Sequence, residues 1–120
     1  MRILVVDDEP IVAGLIADGL RNEGYEEIVI ANSGAEGLQV IEQTPPDVVF
    51  LDITMPGMDG IEVLRRIRQK RPHLPVILLS GTVTPGQIEA ARGLGVTDVL
   101  RKPAAFNHFS EALARVRPPS

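Results

Sequence analysis

The sequence contains no cysteine. Disulfides and thiolate metal centres are therefore excluded, and a reducing compartment is permitted without being required. Aromatic residues number four, Tyr25, Phe50, Phe106 and Phe109, too few for a platform on which nucleobases stack and a poor supply for a flavin sandwich. No apolar run approaches the roughly 20 residues that span a bilayer. Asp7, Asp8 and Glu9 interrupt the N-terminal apolar run too early for a signal peptide. The chain is accordingly expected in the cytoplasm, with no membrane partner. Positive charge is also in short supply: 12 basic against 16 acidic side chains leave a formal net charge of −4. That balance argues against direct binding to nucleic acid, whose phosphates want a basic face.

What is present suits one packed domain. The 120 residues are 44% hydrophobic and 23% charged, which allows a single core and a normally solvated surface and disfavours disorder. Four apolar runs stand out: Ile3–Val6, Ile28–Ile30, Val48–Leu51 and Val76–Leu79, with a weaker fifth at Val99-Leu100. The first, third and fourth show no polar alternation, as expected of strands covered on both faces. Stretches of helical period lie between them. Val12, Leu15, Ile16 and Leu20 form one apolar stripe. Ile61, Leu64 and Ile67 form another, with Glu62, Arg65, Arg66 and Arg68 expected to face water. Phe106, Phe109, Leu113 and Val116 form the last. Pro10 suits a first helical position and Gly24 the residue just past a helix end. Gly93 and Gly95 read as a helix stop before the fifth strand. Strand and helix alternate five times, which predicts an α/β fold: a doubly wound, five-stranded parallel sheet with helices on both faces. Residues 1–117 read as the domain and 118–120 as a tail or the start of a linker.

In such sheets ligands bind outside the carboxyl ends of the strands. The first run ends in Asp7-Asp8, the third in Asp52 and the fourth in Ser80; Arg101-Lys102-Pro103 follows the fifth. Three carboxylates, a hydroxyl and an ammonium are thus expected at one edge. Three adjacent carboxylates repel one another unless a cation sits among them. A hard divalent ion relieves this, and Mg²⁺ favours carboxylate, phosphate and water oxygens. Lys102 supplies a point charge for a phosphate oxygen and Ser80 a hydroxyl donor. This set meets the needs of phosphoryl transfer, which rests on positioning and charge neutralisation, and a carboxylate nucleophile gives an acyl phosphate.

The segments Ile3-Leu4-Val5-Val6-Asp7-Asp8-Glu9, Asp52-Ile53-Thr54-Met55-Pro56-Gly57-Met58-Asp59-Gly60, Leu79-Ser80-Gly81 and Lys102-Pro103, in this order, resemble the receiver domain of bacterial two-component response regulators over essentially the whole chain. The resemblance implies the flavodoxin-like strand order 2-1-3-4-5. It implies that Asp52 accepts a phosphoryl group, that Asp8 ligates Mg²⁺ directly and Asp7 through water, and that Asp52 and the backbone carbonyl of Thr54 share in the metal shell. Lys102 would contact the phosphoryl group, with a cis bond to Pro103. Ser80 would turn toward the phosphoryl oxygen, and Thr54 and Thr82 would tune dephosphorylation. The donor would be a histidine kinase or a histidine phosphotransfer protein. The output domain or downstream protein would read the face made by the fourth helix, fifth strand and fifth helix, in a monomer or a phosphorylation-dependent dimer. The domain would catalyse only its own phosphorylation and slow autodephosphorylation. Two positions depart from the pattern. Val99 stands where the family often has the aromatic partner of the Ser80 switch, and Ala104 stands where Phe often follows Lys-Pro.

Each residue also has a plainer reading. Asp7 alone suits the start of a helix, Asp52 a turn before Met55-Pro56-Gly57, Asp59 a helix cap, and Lys102 a solvated lysine. Arg65, Arg66, Arg68, Lys70 and Arg71 read as a solvated helix face, and His73 and His108 as surface residues. Three other functions share this architecture. A phosphohydrolase working through an aspartyl phosphate would want a second Asp two residues after Asp52, where Thr54 stands. A flavodoxin-like or dinucleotide-binding domain would want a glycine-rich phosphate loop after the first strand, where Asp7-Asp8-Glu9-Pro10 stands. A phosphorylation-dead relative would lack one of the five site residues, and all five are present.

Overall fold

The computed structural model describes residues 1–53, 60–80, 85–96 and 98–101, with the backbone alone at Ser80, Asp98, Leu100 and Arg101. Each of the five apolar runs forms a strand: β1 Arg2–Val6, β2 Glu27–Ala31, β3 Val48–Asp52, β4 Val76–Ser80 and β5 Asp98–Arg101. Four helices alternate with them: α1 Pro10–Asn22, α2 Gly34–Gln43, α3 Gly60–Lys70 and α4 Pro85–Gly93. The expected last helix, with Phe106, Phe109, Leu113 and Val116, lies outside the described residues. All pairings are parallel, in the order β2-β1-β3-β4-β5. That is the doubly wound arrangement, whose order reverses beside β1.

Burial follows position in the sheet. Every residue of β3, in the middle, is buried, whereas the edge strand β2 alternates and keeps Glu27 and Val29 exposed. Successive side chains point to opposite faces, so β1 feeds two cores. Ile3 and Val5, with Val48, Phe50, Ile77 and Leu79, pack against Ala13, Ile16 and Leu20 of α1. Leu4 and Val6, with Val49, Leu51 and Leu78, pack against Ile41 of α2, Val63, Leu64 and Ile67 of α3 and Ala91 of α4.

The helix ends follow local chemistry. Pro10 opens α1, where its missing N–H would have found no intrahelical partner. Gly24 follows the end of α1 at φ +98°, and Gly95 follows α4 at φ +76°, in the left-handed region that glycine enters without cost. The hydroxyl of Ser33 caps α2 by accepting from the Glu36 N–H at 3.1 Å, and the Glu36 carboxylate accepts from the Asn32 N–H at 3.4 Å. This is a variant of the capping box.

Two expectations are corrected. Leu15 lies off the buried face of α1 and is 52% exposed; Ala13 and Ala17 take the buried positions beside Ile16 and Leu20. A stripe through the larger side chains misplaces this face, because the sheet accepts the smaller ones and lets the helix approach closely. Arg68 does not simply face water. Its guanidinium donates to the carbonyls of Leu94 at 2.6 Å, Leu74 at 2.6 Å, Gly95 at 3.0 Å and Arg71 at 3.2 Å. Desolvation by this partial burial lowers its pKa from the ordinary arginine value. The planar five-donor fork reaches several carbonyls at once, which a helical-period pattern does not reveal.

Candidate functional site

The register of the sheet brings the acidic residues together. Val6 of β1 is aligned with Leu51 of β3, so the next residue on each strand, Asp7 and Asp52, lies at the same level of two neighbouring strands. The Asp7 N–H donates to the Ala31 carbonyl at 3.0 Å and the Ile53 N–H to the Leu79 carbonyl at 3.0 Å. The ladders thus run one residue beyond each strand and hold both acids rigidly.

Asp7 is fully buried and Asp52 is 2% exposed; they are the buried charged residues among those described. Asp8 is half-buried. One carboxylate oxygen from each of Asp7, Asp8 and Asp52 lies within 4.8 Å of the others. At an effective dielectric near 20, two like charges at that separation repel by about 3 kcal/mol. Withdrawing such charges from water adds a desolvation cost to this repulsion. The donor set is all oxygen, with no thiolate or imidazole, so it fits a hard cation of the Mg²⁺ or Ca²⁺ type rather than zinc.

The plainer reading of Asp7 is also realised. Its Oδ1 accepts from the Glu9 N–H at 3.0 Å, turning the chain into α1. Glu9 occupies the cap position without a side-chain cap bond, so Asp7 satisfies a backbone donor at the helix start while standing in the acidic cluster.

The remaining expected residues divide. Ser80 ends β4 in register with Arg101 of β5, one residue after Leu79, which is aligned with Asp52. Val99 of β5 is aligned with Leu78 and is packed against the core on the α2–α4 face. Thr54, Thr82, Lys102, Pro103, Ala104 and His108 lie outside the described residues; His73 is exposed. A groove of about 940 Å³ between α2 and α3, lined by Leu38, Ile41, Ile67, Arg66 and Lys70 among others, does not include Asp7, Asp8 or Asp52.

Two glycines beside the strand ends gain a role only in the folded chain. A Cβ on Gly37 of α2 would meet the Val6 side chain at 2.8 Å, and one on Gly60 of α3 would run into the backbone of Asp52 and Ile53.

The family model described as the response regulator receiver domain matches residues 3–114. The chain belongs to this family. Among curated relatives, the receiver resembles a protein-glutamate methylesterase/protein-glutamine glutaminase of Trichodesmium erythraeum, at 40% identity over 97% of this chain and 34% of the relative. It also resembles the response regulator MprA of Mycobacterium leprae, at 37% identity over 98% of this chain and 50% of the relative. The chain therefore spans half or less of the length of these relatives. Among solved structures, the chemotaxis protein CheY4 of Vibrio cholerae superposes with a TM-score of 0.88 at 27% identity, covering 97% of this chain and 98% of the other. The receiver domain of NtrX from Brucella abortus gives 0.85 at 34% identity, covering 95% and 96%. The receiver is thus a phosphorylation-controlled switch of two-component signalling. Among the described residues, no helix is long and apolar enough to cross a membrane.

Proposed function

We propose that this receiver takes a phosphoryl group on Asp52 from a phosphohistidine of a histidine kinase or phosphotransfer protein, with Mg²⁺ as the resident cation. The observation that carries the reading is the convergence of Asp7, Asp8 and Asp52 within 4.8 Å at the ends of β1 and β3. Asp8 and Asp52 would hold the ion directly, Asp7 through water, and the Thr54 carbonyl would add a backbone oxygen. Bound Mg²⁺ would neutralise the carboxylates and the phosphoryl oxygens.

The chemistry of the chain's own groups is then simple. A carboxylate oxygen of Asp52 attacks phosphorus as the P–N bond to the donor imidazole breaks. The imidazole leaves with the bonding electron pair and takes a proton, and an acyl phosphate remains on Asp52. Lys102 would pair with a phosphoryl oxygen and Ser80 would donate to another. Hydrolysis of the acyl phosphate by water, tuned by Thr54 and Thr82, returns the free carboxylate. No metabolic substrate is turned over. Residues 1–117 would form the working unit, cytoplasmic, with 118–120 as tail or linker.

Phosphorylation then shifts an equilibrium between two conformations. The surface read by an output domain or downstream protein would be α4, β5 and the segment that follows, whether the receiver acts as a monomer or pairs when phosphorylated. The test is incubation with a small acyl phosphate and Mg²⁺, followed by intact-mass and phosphorylation-site analysis. A gain of one phosphoryl group on Asp52 that Asp52→Asn and chelation of Mg²⁺ both abolish is expected. Modification elsewhere, or an Asp52→Asn variant that still gains the phosphoryl group, overturns the reading.

A further inference from the structure

α4 is held unevenly along its length. It has nine residues, Pro85–Gly93, and is therefore about 13 Å long. It starts on the side of the sheet where β4 ends and Asp52 stands, because the helices of a parallel sheet run back against the strands. Its buried residue, Ala91, is in the last turn, whereas Pro85, Gly86, Glu89 and Ala90 are exposed and Gln87 and Ile88 half-buried. Just past the helix, Leu94 and Val96 pack against the core. The Leu94 and Gly95 N–H groups donate back to the carbonyls of Ala91 and Arg92 at 3.0 and 3.1 Å.

Arg68 fastens that same end from the neighbouring helix. Its guanidinium joins the carbonyls of Leu94 and Gly95, which follow α4, to those of Arg71 and Leu74, which precede β4. Leu74 stands two residues before β4 and Gly95 three before β5, so the clamp lies at the edge where strands begin, opposite the acidic cluster. The five residues of β4 separate the two edges by about 17 Å. Shifting the C-terminal end of α4 means breaking charge-assisted bonds to carbonyls that a helix end leaves unsatisfied. Shifting its first turn breaks none of these.

We infer that Arg68 is the pivot of α4: a change at the acidic edge tilts the helix about its clamped C-terminal end and moves its first turn most. The inference deepens the switch described above and rests on the reading of Asp52 given there. Such a device turns a local event at the strand ends into a graded displacement along one helix, with a single guanidinium deciding where the motion stops. The clamp touches neither the carboxylates nor the strands' acidic ends, so it governs the response and not the binding of the cation.

The chain has no cysteine, so two cysteine substitutions place a pair of spin labels in the full chain. The reference label goes on exposed Asp18 of α1, and the second on Gly86 in the first turn of α4 or on Arg92 in the last. Distances are read by double electron–electron resonance with Mg²⁺ alone and with Mg²⁺ and beryllofluoride, in the parent and in Arg68→Lys. A tilt of roughly 10° about the pivot moves the Gly86 end by about 2 Å. The expected result is a shift of that order for the Gly86 pair, a much smaller one for the Arg92 pair, and comparable shifts for both pairs in Arg68→Lys. Amide exchange at Leu94, Gly95 and Val96 should be about tenfold faster in Arg68→Lys, with the Mg²⁺ dissociation constant equal to the parent's. Equal shifts of both pairs in the parent overturn the inference. So does an Arg92 label that stays still in Arg68→Lys, even where the melting temperature falls, since a merely structural clamp predicts that. An Arg68→Lys chain that does not fold also overturns it, by assigning Arg68 to the fold alone, and so does a mimic that binds at Asp52 and moves neither label. If the mimic has no effect and Asp52→Asn matches the parent, the reading of Asp52 fails instead. The pivot is then judged on the unliganded protein, where the Gly86 pair must show the broader distance distribution and Arg68→Lys must broaden that of the Arg92 pair.

Discussion

Phe50 and Asp8 illustrate how single residues divide between holding the fold and serving the site. Phe50 is fully buried on the α1 face of β3, two residues before the proposed acceptor. Phe50→Ala removes a ring from a packed layer and should cost about 3–5 kcal/mol, read as a lower midpoint in urea denaturation. Asp8 is half-buried and joins the cluster from outside the core. Asp8→Asn should therefore leave folding nearly intact and remove the gain in melting temperature that the parent shows on addition of Mg²⁺. At 100 times the dissociation constant that gain corresponds to about 2.7 kcal/mol. A parent whose melting point ignores Mg²⁺ would count against the cation site.

At the scale of elements, the helices differ in how they are held. α2 relies on its cap: Ser33→Ala should cost about 1 kcal/mol, measured by chemical denaturation, with Ser33→Asp recovering most of it. α4 is anchored chiefly at its C-terminal end. Ala91 is its buried residue, Leu94 and Val96 pack against the core just beyond it, and Arg68 of α3 binds the carbonyls of Leu94 and Gly95. These carbonyls sit where the helix dipole is negative, so the guanidinium both fills orphan acceptors and complements the dipole. Arg68→Ala should destabilise the fold by about 2 kcal/mol and raise amide exchange in α4 more than in α1. Arg68→Lys should recover only part, since one ammonium does not span several carbonyls. By contrast, the exposed pairs of Glu62 with Arg65 and Arg66 are of a kind that contributes little.

For the molecule as a whole, the question is whether occupancy at the acidic cluster reaches α4 and β5. Val99 stands where the family resemblance would place an aromatic switch residue, and the structure packs it against the core beside Leu78. A half-buried valine at this place has less to gain from swinging between solvent and core than a ring with a polar tip. Backbone NMR with Mg²⁺ and beryllofluoride, a phosphoryl mimic, is expected to shift resonances around Asp52, Ser80 and Lys102 and along α4, and Asp52→Asn is expected to abolish the shifts. Changes confined to Asp7, Asp8 and Asp52 would show that Val99 has uncoupled the output face.

The five strands, their alternation with helices, and the residues that end each strand are legible in the order of amino acids alone. Runs such as Val48–Leu51 can be satisfied only by burial on both faces, and a parallel sheet then gathers its strand ends at one edge. The roles of Asp7, Asp8 and Asp52 could be suggested on that ground, because the pattern is local and repeated. Distances between distant residues are not local. The alignment of Val6 with Leu51, which sets Asp7 beside Asp52, the swing of Arg68 onto the end of α4, and the exclusion of Leu15 from the core were decided by how helices pack on the sheet. The same holds for Gly60: its want of a side chain acquires meaning only once α3 is laid against the backbone of Asp52, since close packing is a property of two surfaces together and is written in neither segment alone.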